Sequence, residues 1–279
     1  MTGARTRLLE SLRGSIARVE STAASLSDAH AGAGRVALGH AEADAALQGG
    51  LALGAVHEVY AQAGRQSAAA TGFIAGLAQR VSLRRPLLWV RHDYGAREYG
   101  ALSMSGWREL GLDPRMVVSV CAADVEGALR TTADALACDA VGAVVLEVWG
   151  EARQFDLVAS RKLTLAARAS GVTGLMLRVA AEPTPSAAET RWIVRSVHSP
   201  PLAAWQAWGS PVLEAQLVRN RRGPNGLWIM EWKCDECVFR DAAADTQPMA
   251  AAPANRPAQT ARVVQSDFAG RTGEHRRAG

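Results

Sequence analysis

Residues 61 to 68 read AQAGRQSA, and they stand where a phosphate would be held if this chain bound a nucleotide. The apolar run LALGAVHEVY leads in, and the alanine-rich SAAATGFIAGLAQRVSL leads out. A strand, a small-residue turn and a helix N-terminus in that order cradle phosphates with backbone N–H groups. The side-chain pattern for that chemistry is G-x-x-x-x-G-K-[ST]: glycines for close backbone approach, a lysine for the phosphates and a hydroxyl for magnesium. Here Ala61 and Gln66 stand in the glycine positions, Ser67 in that of the lysine and Ala68 in that of the hydroxyl residue. The pattern predicts a nucleotide-binding scaffold stripped of catalysis: no enzyme, no catalytic residue and no cofactor. Gly64 and Arg65 remain, and a guanidinium pairs with phosphate, so weak nucleotide binding stands as an alternative.

The lysine is absent rather than displaced. Only Lys162 and Lys233 occur among the 31 basic residues. Lys162 lies in the helix-like DLVASRKLTLAAR and Lys233 in WKCDEC after a strand-like run, so neither reaches the loop locally. Codon bias is the plainer origin of the scarcity. Cys234 and Cys237 have C-x-x-C spacing, but zinc takes four ligands and no second pair follows. A redox pair belongs at a helix start after a strand, so these cysteines read as coincidental, and no metal is assigned.

Arg219, Asn220, Arg221 and Arg222 form a dense basic cluster just before Gly223-Pro224, a turn signal at a strand end. Contact with DNA phosphates or with an acidic partner is one reading; arginines blunting a strand edge is the other. Trp192, Trp205, Trp208, Trp228 and Trp232 offer base-stacking faces, but their apolar strand patterns favour packing.

Short, nearly all-apolar runs must position these groups. They are 55–60, 86–92, 116–121, 143–149 and 173–179, with helical patterns at 67–83, 97–111, 124–138 and 156–171 between them. Buried strands alternating with helices indicate a mostly parallel sheet covered by helices on both faces. The last three runs, 191–198, 214–220 and 226–232, have no helices between them, so antiparallel strands are expected at the C-terminal edge.

Flanking segments complete three parts: 1–35, 36–240 and 241–279. Leu8, Leu9, Leu12, Ile16 and Val19 have helical spacing, and a Ser/Ala/Gly-rich linker follows to residue 35. The Ala/Pro-rich end from 241 predicts disorder, with VVQSDF its one apolar island. A net charge of +4 permits nucleic-acid contact without demanding it. Neither a signal pattern nor an apolar run of the roughly 18–20 residues that span a bilayer is present, so no membrane contact and a cytoplasmic location are expected.

The succession LGHAEADAALQGGLALGAVHEVYAQAGRQSA resembles the entry into a RecA-type core. EARQFDLVASRKLTLAARASGVTGLMLR and PVLEAQLVRNRRGPNGLWIMEW are similar, more specifically, to the ImuA family, RecA-like accessory proteins of inducible mutagenesis. The resemblance covers about residues 36 to 235 and implies an α/β RecA-like fold with a degenerate P-loop. By resemblance the partners are a polymerase-like ImuB-type protein and an error-prone DnaE-type polymerase, with single-stranded DNA and self-association as further options. It also implies a magnesium-managing acid at the end of the run AVVLEVW, where Glu147 stands, read as a vestige that is solvated or locally paired. A water-polarising acid is implied near WVRHDYG, where His92 and Asp93 stand. The expected function is a non-catalytic scaffold in SOS-type, damage-induced translesion synthesis. The alternatives are an atypical DNA-stimulated RecA-like ATPase using a neighbour's Lys162, and a SulA-type cell-division inhibitor.

Overall fold

The computed structural model describes residues 34–82, 85–199 and 209–242, all within one unit, Met1–Thr246. The helical pattern at 8–19, most of the linker, Trp205, Trp208 and the tail beyond 242 lie outside the described residues. A two-stranded ribbon opens the fold: β1 (Arg35–Val36) pairs antiparallel with β2 (Leu51–Ala52) around the short helix α1 (Ala41–Ala46). The sequence pattern gave no hint of these short pieces, and β1 begins at Arg35, a residue assigned there to the linker.

The central strand β3 (Val56–Ala61) is buried along its whole length. A 3-10 turn, Gly64–Gln66, joins it to α2 (Ser67–Val81). Alanine is the best helix former, and Phe73, Ile74, Leu77, Ala78 and Val81 recur at helical spacing on the buried side of α2. Complete burial contributes about 1.5–3 kcal/mol for each such large side chain.

Next come β4 (Leu87–His92), α3 (Asp93–Tyr99) and α4 (Met104–Glu109). The sequence pattern suggested one helix over 97–111. Two are found, because Gly100 takes φ 81°, a left-handed conformation that ends α3, and the Ser103 hydroxyl then caps α4 by accepting from Gly106 N at 3.1 Å. After β5 (Val117–Ala122), α5 (Val125–Leu136) starts at Asp124, whose carboxylate accepts from Gly127 N at 2.7 Å. β6 (Ala143–Trp149) leads to α6 (Leu157–Ser170), capped in the same way by Asp156 and closed by Gly171 at φ 79°. β7 (Thr173–Val179) follows, then β8 (Thr190–Ser196), β9 (Val212–Asn220), β10 (Gly226–Lys233) and β11 (Val238–Asp241).

These strands form one nine-stranded sheet in the order β11-β10-β9-β8-β3-β7-β6-β4-β5. From β8 to β5 every pairing is parallel; from β8 to β11 every pairing is antiparallel. β8 is therefore the seam, parallel to β3 on one side and antiparallel to β9 on the other. The last three apolar runs do reach the C-terminal edge, but the first of them belongs equally to the parallel sheet. The architecture is an α/β RecA-like core.

Helices cover both faces. α2 and α4 pack with Trp89, Trp192, Trp232 and Phe239 on one side, while α5 and α6 pack with Val56, Val144, Leu146 and Met176 on the other. At Gly76 of α2 a Cβ would lie 2.7 Å from Phe239 Cζ and 2.8 Å from Trp232 Cζ3, so the missing side chain lets α2 seat directly on those rings. Trp192 and Trp232 are core residues and Trp228 packs against them. Among the described residues no helix is long and apolar enough to cross a membrane.

Candidate functional site

The loop after β3 has the strand–turn–helix form of a phosphate cradle but is tied to its surroundings by its own side chains. Gln66 Oε1 accepts from Ser196 N at 2.6 Å and from Ser196 Oγ at 2.8 Å, fastening the turn to the end of β8. Gln62 donates from Nε2 to Glu182 at 2.8 Å and accepts from Arg195 Nη2 at 3.1 Å. Ala61 is buried, Gly64 and Ser67 are half-buried, and Arg65 and Ala68 are exposed. The first turn of α2 therefore carries no side-chain cation at the lysine position.

Beside this turn lies a cavity of about 470 Å³, lined among others by Ser67, Thr71, Trp107, Arg91, Glu147 and Trp149. The sequence places Glu147 at a strand end. β6 instead continues to Trp149, and Glu147 is only 3% exposed. Its Oε2 accepts from Trp89 Nε1 at 2.9 Å and Arg91 Nε at 3.0 Å; its Oε1 accepts from Arg91 Nη2 and Trp149 Nε1, each at 3.0 Å. Arg91 Nη1 is spent on Gly100 O at 3.0 Å. Four donors on two carboxylate oxygens hold the acid as a structural anion. Of these partners, Arg91 carried a readable signal, being a cation inside the apolar run PLLWVRH. The two indoles did not.

Asp93 opens α3 and pairs with Arg97 four residues on, while Cys121 Sγ donates to its other oxygen at 3.7 Å. His92 is half-buried and stacks on Tyr94. Neither Asp93 nor His92 lines the cavity by α2.

The arginine cluster is elsewhere. Thr190 is the register partner of both Asn220 and His57, which places the cluster at the amino end of β3, whereas the 61–68 loop leaves the carboxyl end. Asn220 Nδ2 donates to Ala46 O at 2.9 Å and Pro224 O at 3.1 Å, and Arg222 Nε donates to Glu189 at 2.9 Å. Arg219 Nη1 donates to Ser186 O at 2.8 Å; burial, then repulsion from Arg221 and Arg191, holds its pKa below the ordinary arginine value. Of the four, only the Arg221 side chain is exposed.

A second buried charge group escaped the sequence reading. Arg191 Nε donates to the fully buried Glu58 at 2.7 Å and holds the 180–189 segment through Ser186 Oγ at 2.8 Å. Arg178 lies over the Phe155 ring, 4.9 Å from its centroid, and burial lowers its pKa. Burial and the Glu58 charge raise that of Tyr60. His57, buried beside them in sequence, is held neutral at a pKa of about 4 by desolvation.

Cys234 and Cys237 sit in the turn between β10 and β11, packed onto the Gly111 turn. A Cβ at Gly111 would meet Cys234 O at 1.8 Å, and Cys237 Sγ donates to Gly111 O at 3.4 Å. Burial raises both thiol pKa values, which keeps them protonated. Among the described residues no group of three or more His, Cys, Asp or Glu could hold a metal ion.

No protein-family model matches the chain. Two curated relatives do, both Protein ImuA of Caulobacter vibrioides, from strains NA1000 / CB15N and ATCC 19089 / CIP 103742 / CB 15. Each is 31% identical over 198 residues, spanning 66% of this chain and 77% of the relative. With the RecA-like sheet in place and this similarity extending over most of the described core, the chain belongs to the ImuA family.

Proposed function

We propose that this chain is a non-catalytic accessory protein of damage-induced mutagenesis, serving error-prone translesion synthesis by holding a polymerase-like partner. The observation that carries the reading is the combination of ImuA membership with a phosphate-type turn lacking its lysine, glycines and hydroxyl residue at Ala61, Gln66, Ser67 and Ala68. The state of Glu147 supports it. An acid that already accepts from Arg91, Trp89 and Trp149 has little capacity left for a magnesium ion. Phosphoryl transfer works by positioning and charge stabilisation, and the groups that supply both are missing from the turn. An error-prone DnaE-type polymerase belongs to the same proposed assembly, in the cytoplasm.

Two measurements test this reading. Nucleotide hydrolysis with and without single-stranded DNA should stay at background; turnover that an Arg65→Ala change abolishes would establish the ATPase reading instead. Affinity capture of the tagged chain from DNA-damaged cells should recover a polymerase-like protein together with an error-prone polymerase. Recovery of cell-division proteins in their place would overturn the proposal.

A further inference from the structure

The outer face of α6 has the composition of a covered surface and the exposure of a free one. Its inner face buries Ser160, Leu163, Thr164 and Ala167 against the sheet. On the opposite side Val158, Lys162, Leu165 and Ala169 follow one another at spacings of four, three and four residues, which aligns them in one stripe along the helix. Val158 and Leu165 are 57% and 58% exposed, the highest values among the exposed large apolar side chains of the described residues. Leu157, at 37%, extends the patch at its start.

Among the described residues the unpaired charges of the α6 stripe are of one sign. Arg161 and Lys162 lie between the two apolar positions, and neither is in an ion pair among the described residues. The acids nearby are already committed: Asp156 caps α6 through Ala159 N at 2.8 Å, and Glu126 pairs with Arg130 at 3.2 Å. A groove of about 350 Å³ lies between α5 and α6, lined by Leu129, Leu163 and Lys162 together with the committed acids Glu126 and Asp156.

Val158, Leu165 and Ala169 around Lys162, in one stripe beside a groove, make the receiving half of a helix-in-groove contact. The uncommitted cations specify the sign of what it receives. We propose that the outer face of α6 and the α5–α6 groove dock an acidic amphipathic helix of the protein partner. Apolar side chains of that helix cover Val158 and Leu165, and its carboxylates pair with Arg161 and Lys162. This inference rests on the reading of the chain as a scaffold, and it names the surface that the scaffold uses.

The test is co-purification and calorimetry of the full chain with the polymerase-like ImuB-type protein as probe. The doubly substituted Val158→Glu/Leu165→Glu chain is compared with a Leu227→Glu control on β10. Both altered α6 positions are exposed and glutamate is a good helix former, so far-UV circular dichroism should be unchanged. Affinity should fall by about thirtyfold or more in the double variant and stay at the wild-type level in the control. Leu165→Lys should weaken binding less than Leu165→Glu, and Arg161→Glu/Lys162→Glu should weaken binding and flatten its salt dependence. Full-strength binding by the Val158→Glu/Leu165→Glu chain would overturn this surface and leave the scaffold reading standing. Failure of the wild-type chain to bind the probe would overturn both. A change in the chain's own oligomeric mass on Val158→Glu/Leu165→Glu would make the face a contact between copies, which also overturns the proposal.

Discussion

Arg91 and Glu147 are register partners on the adjacent parallel strands β4 and β6, and Arg91 Nε and Nη2 donate to different oxygens of the Glu147 carboxylate at 3.0 Å each. The bidentate fit makes each residue the other's solvation shell at a site where both side chains are buried at the wall of the cavity. Replacing one partner alone leaves a buried charge without compensation, so Glu147→Leu and Arg91→Met should each lower stability by about 3–5 kcal/mol. The double substitution should lower it by clearly less than the sum of the two, although the Trp89 and Trp149 indoles then lose an acceptor. Urea unfolding of the four proteins in a double-mutant cycle reads this coupling, and strict additivity would contradict it.

His57 should titrate far below a free histidine. Its Nε2 donates to Ala52 O at 2.9 Å, and its Nδ1 accepts from the Thr190 hydroxyl at 2.8 Å, while Thr190 Oγ1 accepts from Trp192 Nε1 at 3.1 Å. That chain of donors accommodates the neutral ring. With a folded pKa of about 4 against 6.5 for the free group, only the unfolded chain takes up the proton between those values. Stability from this residue is complete above about pH 6.5 and falls as the pH drops towards 4, by about 3 kcal/mol at most. An imidazole resonance titrating near 6.5 would refute this assignment.

Gly76→Ala should destabilise the protein although alanine favours helices by about 1 kcal/mol over glycine. The added methyl would lie 2.7 Å from Phe239 Cζ and 2.8 Å from Trp232 Cζ3, on two rings that are buried. Overpacking of this kind costs about 1–3 kcal/mol. Thermal unfolding should give a lower midpoint; a higher one would mean that the rings can retreat.

The arginine cluster should separate into structural and surface parts. Asn220→Ala removes the tether between the end of β9 and α1, and should cost about 1–3 kcal/mol. Arg221→Ala should change stability by less than about 0.5 kcal/mol. If single-stranded DNA binds at this end of the sheet, Arg221→Ala should lower the slope of log affinity against log salt by about one unit. Unfolding curves and a salt titration check the two halves independently.

How far the sequence could be read depended on the distance between interacting residues. β6 and β7 follow residue for residue from AVVLEVW and TGLMLRV, since strands buried on both faces show as unbroken apolar runs. Gly100 and Ser103 held the signals for the break between α3 and α4, but the apolar pattern around them ran on. The short β11 and the small ribbon of β1 and β2 are too brief for any period to register. For the site, the type of Glu147 was visible and its circumstances were not. Its donors sit 58, 56 and 2 residues away and meet only when β4 lies beside β6. The RNRR cluster read as one dense patch, whereas folding turns Asn220 and Arg222 inward to different acceptors and leaves Arg221 outside.

The place of β3 bears on how the chain comes to be made. Its two neighbours are β7, where Val56 faces Gly174, and β8, where His57 faces Thr190. The middle of the sheet is thus translated early and flanked late. At about 5–20 residues per second, a ribosome needs on the order of ten seconds between finishing β3 and finishing β8. Until β7 is finished at Val179, VHEVYA has no neighbouring strand to pair with, and the strand on which the sheet closes waits long for its partners. The yield of a chain with this strand order should therefore track chaperone supply more closely than its finished stability.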